Sequence, residues 1–370
     1  LLRSLWFWIA VLLIVAGVAL TAALDVFYWL VAALSVAILS IVGGFLHAAY
    51  RVGRAEPPDV PRLREVPDEE RIPVIYDCDL TMGRPFRDVG DGLALFYLLG
   101  DPRIDLRAIT TTYGNGPQWM TNRTTRGLLN QLDLADIAVV PGADGPAEVP
   151  RDNRAARHLI DAVRAQPNEI VLLATGPLTN LKHAVALDQD FFTRLRSLYL
   201  MGGITRKLTW NGRQLKERNF SLDPEAAYMA LQTDCPTTLT TGEAGLTAVF
   251  RSAQFAALQA MDDPVSRLIV QKTRFWFALM RLWFRDDGFG TWESIAALTI
   301  THPELFDFER VHLPITVEDL RTGQLTVTPD TAGPVRLVQG VRDYEGFIQA
   351  QLAAWQHLGW LIRSDTQGSL

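Results

Sequence analysis

Four carboxylates crowd into one short stretch of this chain. Asp77 and Asp79 flank Cys78 at the end of an apolar run, and Asp88 and Asp91 arrive just before the next one. Carboxylates at this density repel one another unless a cation or protons compensate. A hard dication such as Ca²⁺ draws its ligands from several carboxylates, carbonyls and waters, so the cluster reads as a divalent-metal site. Helix capping accounts for Asp91, which precedes an apolar helix, but not for all four. His158, His183 and His302 have no metal-ligand spacing and read as surface or capping residues.

The elements that must position these groups alternate. Strands are expected over 73–79, 106–112, 137–140, 170–174, 198–201 and 237–240. Helices are expected over 92–99, 118–132, 154–165, 178–187, 224–232 and 292–301, with a helical region over 254–285. Such alternation implies βα units around a mostly parallel sheet flanked by helices. Ligands of such sheets sit beyond the carboxyl ends of the strands. Asp77–Asp79, Thr112–Asn115, Thr175–Gly176 and Met201–Gly203 all fall there.

Several stretches, taken in order, carry a resemblance. They are Val74-Ile75-Tyr76-Asp77-Cys78-Asp79, Thr111-Thr112-Tyr113-Gly114-Asn115 and Ala174-Thr175-Gly176-Pro177-Leu178-Thr179-Asn180. Met201-Gly202-Gly203, Asn211, Glu217-x-Asn219, Asp223-Pro224-Glu225-Ala226-Ala227, Glu293-Ser294-Ile295-Ala296 and His302-Pro303-Glu304-Leu305-Phe306 follow. Together they resemble the inosine-uridine-preferring nucleoside hydrolase family over most of the chain after the apolar N-terminal stretch. The resemblance implies calcium-dependent hydrolysis of the N-glycosidic bond of a ribonucleoside or related N-riboside. It implies that Asp79 ligates Ca²⁺ and takes the proton from the attacking water. Asp91, Glu293 and the backbone carbonyl of Thr175 are the further ligands so implied, with Asp77 in a supporting position. Asn115 falls beside the water, and Met201, Asn211, Glu217 and Asn219 fall around the sugar. Asn and Glu supply the paired donors and acceptors that ribose hydroxyls need. The Glu217 carboxylate would also stabilise charge developing on an oxocarbenium-like ring.

The sequence departs from the family in four places. An insert, Thr81-Met82-Gly83-Arg84-Pro85-Phe86-Arg87, replaces a compact Pro-Gly turn. Gly90 stands where the family has the first aspartate of an Asp-Asp pair, with Asp88 the candidate to replace it on a ribose hydroxyl. Glu293 stands where the family has a shorter aspartate. Trp292 stands where many members have a histidine that protonates the leaving base; it reads equally as a base-stacking ring or as packing. Arg84 and Arg87 read as salt-bridging residues, or as ligands for an anionic group on the substrate.

Composition bounds the rest. The chain has 370 residues, 48% hydrophobic and 21% charged, with a net charge of −6. That acidity, without a basic stripe, argues against nucleic acid. Cys78 and Cys235 read as reduced structural thiols. Leu5–Leu24 and Val26–Tyr50 are each long enough to span a bilayer, so residues 1–54 read as a membrane hairpin turning near Asp25. Residues 55–71 read as a semi-extended linker, and residues 72–370 as the α/β domain. Arg3 precedes the hairpin, and Arg51, Arg54, Arg62 and Arg64 follow it, which places the domain on the cytoplasmic side. The expected partners are a nucleoside-like small molecule and the membrane through residues 5–50, with no nucleic acid; a homo-oligomer is compatible with the family. The rival reading is a catalytically impaired ligand-sensing module of the same fold, and a weaker one a metal-dependent phosphohydrolase.

Overall fold

A computed structural model describes residues 2–50, 55–146 and 153–368. The chain divides into two units, Leu1–Arg51 and Val52–Leu370. The first is one α-helix, Leu2–Tyr50, with no interruption at Asp25. The expected hairpin is therefore corrected to a single helix. The physical reason is local: Thr21-Ala22-Ala23-Leu24-Asp25-Val26-Phe27 holds neither Pro nor Gly, and Ala and Leu are strong helix formers. The Thr21 hydroxyl donates back to the Gly17 carbonyl at 3.2 Å, as in an ordinary helix interior. Within it, Leu12–His47 is long and apolar enough to cross a membrane. Arg51 and Arg54 lie outside the described residues.

Thirteen strands occur among the described residues. They are β1 (Ile72–Cys78), β2 (Ile104–Thr111), β3 (Ala138–Pro141), β4 (Val171–Ala174), β5 (Ser197–Met201), β6 (Thr209–Trp210) and β7 (Arg213–Gln214). The remainder are β8 (Thr237–Thr240), β9 (Val249–Arg251), β10 (Gly288–Gly290), β11 (Phe306–His312), β12 (Thr328–Pro329) and β13 (Val335–Val341). Nine of them form one sheet in the order β12-β11-β13-β8-β5-β4-β1-β2-β3. Neighbours from β13 to β3 are parallel. β11 and β12 add an antiparallel edge.

In the parallel part, β4 (Val171-Leu172-Leu173-Ala174) is buried throughout and apolar, as expected of a strand covered on both faces. In β1, Val74, Tyr76 and Cys78 face one core, while Ile75 faces a second. The period of two then turns Asp77 toward the side of Ile75. The helix Gly90–Gly100 is buried at every residue except Leu99, which explains its apolar sequence on all sides.

Strand order reverses around β1. β2 and β3 follow on one side, β4 and β5 on the other. The crevice between the carboxyl ends of β1 and β4 is therefore a topological switch point, where open α/β sheets bind ligands.

Residues 55–71 are not a free tether. Glu65 lies 3.0 Å from the His357 ring and Arg62 lies over the Trp360 ring, so this segment is strapped to the C-terminal helix Tyr344–Gly368.

Candidate active site at the β1–β4 crevice

Asp79 follows the last residue of β1 and is almost fully buried. Asn115 holds both of its oxygens: the backbone N–H donates to Oδ2 at 2.6 Å and the side-chain amide to Oδ1 at 3.0 Å. Gly114 makes this clamp possible. Its φ is +142°, and a Cβ there would fall 2.0 Å from Asp79 Oδ2. The carboxylate is thus fixed in direction by a turn that only glycine fits.

Asp91 enters from the first turn of the helix Gly90–Gly100. Its Oδ1 accepts from the Thr175 hydroxyl at 2.6 Å and from the Tyr76 hydroxyl at 3.0 Å. Thr175 follows β4, so this hydrogen bond joins the end of β4 to the first turn of the helix Gly90–Gly100. The Thr175 carbonyl accepts from the Asn219 amide at 2.8 Å, and the Met201 carbonyl accepts from the same amide at 3.0 Å. Each carbonyl keeps a second lone pair. Glu293, in the first turn of the helix Trp292–Thr301, is 7% exposed, and its Oε2 has no hydrogen-bond partner. Asp88 is half-buried and accepts from the Gly90 N–H at 2.6 Å. Asp88 and Asp91 both stand close enough to Glu293 to act on its charge.

Asp77 supports this group from behind. Its Oδ2 accepts from Thr110 at 2.5 Å and from Asn180 at 2.7 Å, and its Oδ1 is buried without a partner.

The other expected site residues have partners of their own. Asn211 is exposed, has φ +45°, and donates to the Phe284 carbonyl at 3.1 Å. With Gly212 at φ +76° it forms the two-residue turn between β6 and β7, the turn that Asn-Gly favours. The turn accounts for its residue type. Glu217 Oε1 accepts from the backbone N–H groups of Gly203, Asn219 and Phe220, and its Oε2 from that of Ser221. That carboxylate organises its own loop. Trp292 is packed: its indole N–H donates to the Gly242 carbonyl at 2.8 Å, and its ring closes on Gly245 and Gly290. Arg84 donates to the Thr124 hydroxyl and Arg87 to the Asn115 carbonyl at 2.6 Å. The insert is thereby fastened to the residue that clamps Asp79. His183, expected at the surface, is buried beside Asn153.

Tyr76 and Asn180 are the partners that residue type alone did not single out. The signal in the sequence is a hydroxyl at a core-facing strand position, which needs a buried acceptor.

Electrostatics tie the group together. Burial, then the charge of Asp91, pushes Asp79 well above the ordinary carboxylate range. Burial, then Asp88 and Asp91, does the same to Glu293. Burial lifts Asp77 to about 7 and Asp88 to about 6. Among the described residues none of these carboxylates stands in an ion pair with Lys or Arg. The donor set is all oxygen, negatively charged and under-compensated, and one of its oxygens is buried without a partner; this chemistry fits a hard dication. Among the described residues no three His, Cys, Asp or Glu side chains stand at ready cation spacing.

The sequence profile described as inosine-uridine preferring nucleoside hydrolase matches residues 74–349. A pyrimidine-specific ribonucleoside hydrolase of Salmonella arizonae is 26% identical over 229 residues, covering 55% of this chain and 71% of that protein. Its counterpart in Klebsiella pneumoniae is 26% identical over 248 residues, covering 59% and 74%. Among solved structures, a plant nucleoside hydrolase superposes with a TM-score of 0.67 at 20% identity, covering 77% of this chain and 99% of that one. A purine-preferring ribonucleoside hydrolase from Gardnerella vaginalis does so with a TM-score of 0.67 at 21% identity, covering 78% and 99%.

Proposed function

The chain belongs to the inosine-uridine preferring nucleoside hydrolase family, hydrolases of N-glycosidic bonds, and on that premise we propose that it is calcium-dependent, with Asp79 as the proton acceptor. The observation that carries this reading is the Asp79–Asn115 clamp set opposite Asp91 and Thr175 at the switch point. Asp79, Asp91, Glu293 and the Thr175 carbonyl would hold Ca²⁺. When bound, the ion compensates the carboxylates, lowers the pKa of the attacking water and anchors ribose hydroxyls.

The residues of the chain do the rest. Asn115 fixes the Asp79 carboxylate so that it can take the proton of a water attacking the anomeric carbon. Asp88 is the candidate acceptor for a ribose hydroxyl. Asn219 ties the end of β4 to the end of β5 and so sets the carbonyls that border the sugar. Trp292 has committed its N–H to Gly242 and supplies no proton to the departing base. Substrates whose base leaves without that help are therefore favoured. The relatives include both pyrimidine-specific and purine-preferring enzymes, so the base is a question for assay.

The impaired sensing module is the less favoured reading, since the clamp and the Asp91–Thr175 link are both assembled. The helix Leu2–Tyr50 is proposed as a membrane anchor. If it crosses once, Arg51, Arg54, Arg62 and Arg64 after it would hold the catalytic domain on the cytoplasmic side. The test is ribose release from a nucleoside panel with calcium and with chelator. Release that requires calcium and is abolished in Asp79→Asn is expected; release unaffected by either overturns the proposal.

A further inference from the structure

Glu293 and Gly90 lie on different helices, yet their geometry is interdependent. A Cβ at position 90 would fall 1.8 Å from Glu293 Oε2, 2.7 Å from its Cδ, and 3.2 Å from Asp88 Oδ1. The space of a side chain at 90 is therefore already filled, by the carboxylate of Glu293. That same Oε2 is buried without a hydrogen-bond partner, so internal hydrogen bonding does not explain why it is held there. Glycine also weakens a helix relative to alanine, and helical propensity does not explain its presence in the first turn of Gly90–Gly100.

We infer that Gly90 and Glu293 are one coupled unit: the missing side chain at 90 is a notch through which Glu293 delivers its carboxylate to the face of the site shared with Asp88 and Asp91. Glutamate is needed because the carboxylate must reach into a neighbouring helix's side-chain space. An aspartate at 293, shorter by about one carbon–carbon bond of ~1.5 Å, withdraws from the notch. A side chain at 90 expels the glutamate from it. Gly90 is thus a positioning residue that acts through Glu293.

The inference rests on the calcium reading for its functional half and on sterics alone for the other, so two readouts separate them. The proteins are wild type, Gly90→Ala, Glu293→Asp and the double variant. In thermal unfolding without metal, Gly90→Ala lowers the Tm and the added Glu293→Asp recovers part of the loss. In calcium titration calorimetry, each single variant loses about 10-fold or more in affinity, the scale set by disturbing the groups around a metal site. The double variant is no weaker than Gly90→Ala alone. Additive Tm losses and multiplied affinity losses overturn the coupling. A wild type that takes up no calcium while the Tm recovery persists overturns the metal reading and leaves the notch standing.

Discussion

Replacing Thr175 by valine tests the link between the end of β4 and the helix Gly90–Gly100 with little steric change. Valine keeps the β-branched shape and the backbone carbonyl, and it removes the hydroxyl that donates to Asp91 Oδ1 at 2.6 Å. That oxygen is then left with Tyr76 as its hydroxyl donor, at 3.0 Å. A hydrogen bond to a charged group contributes about 1.5–3 kcal/mol, and each 1.4 kcal/mol is about tenfold in a binding constant. If Asp91 ligates calcium, its misorientation costs about 10- to 100-fold in calcium affinity, the range seen when partners of metal ligands are lost. Calorimetric titration of both proteins at one pH reads this directly, with the Tm of each as a check on folding. Thr175→Ser keeps the hydroxyl and should bind within about threefold of wild type. Unchanged affinity in Thr175→Val, with an unchanged Tm, would refute the role assigned to Asp91.

Three further outcomes are expected. Glu217→Ala removes the acceptor of four backbone N–H groups and should lower stability by about 2–3 kcal/mol; a denaturation midpoint equal to wild type would show that water replaces the carboxylate. Asn211→Gly preserves the positive-φ turn and should leave kcat/KM within about threefold, whereas a tenfold loss would return Asn211 to the sugar site. Asp101 gives a pH test: burial raises its carboxyl, but the hydrogen bonds and charge of Arg103 outweigh this and hold it below the ordinary value. A depressed folded-state pKa contributes stability that is full above the unfolded value, about 3.9, and is lost as pH falls through the folded one. The stability gap between wild type and Asp101→Asn should therefore close in acid below about pH 4, and a gap that widens there contradicts the assignment.

Legibility in the sequence followed the physics of each element. β8 and the helices Arg154–Ala165 and Trp292–Thr301 fall where expected; β8 reads as a short β-branched run after Pro236 and before Gly242. β4, a fully buried parallel strand, reads plainly as an apolar run. The antiparallel edge of β11 and β12 did not, because its pairing is set by distant partners. At the site, Asp79, Asp91, Asn115, Thr175 and Asn219 come together from five separate stretches. Asn211 and Glu217 show that residue type alone leaves the partner open. An amide or carboxylate suited to a ribose is equally suited to a tight turn or a set of loop N–H groups, and only the backbone path decides. The expected membrane hairpin failed for a related reason: one aspartate among good helix formers does not end a helix.

Thr175 touches both halves of the site, Asp91 through its hydroxyl and Asn219 through its carbonyl. Under the proposed chemistry, ion and nucleoside are then thermodynamically linked. Whatever factor calcium gives to nucleoside affinity, the nucleoside must return to calcium affinity. In a compartment poor in free calcium, rising nucleoside would itself recruit the ion, so that the supply of substrate sets how much of the enzyme is loaded.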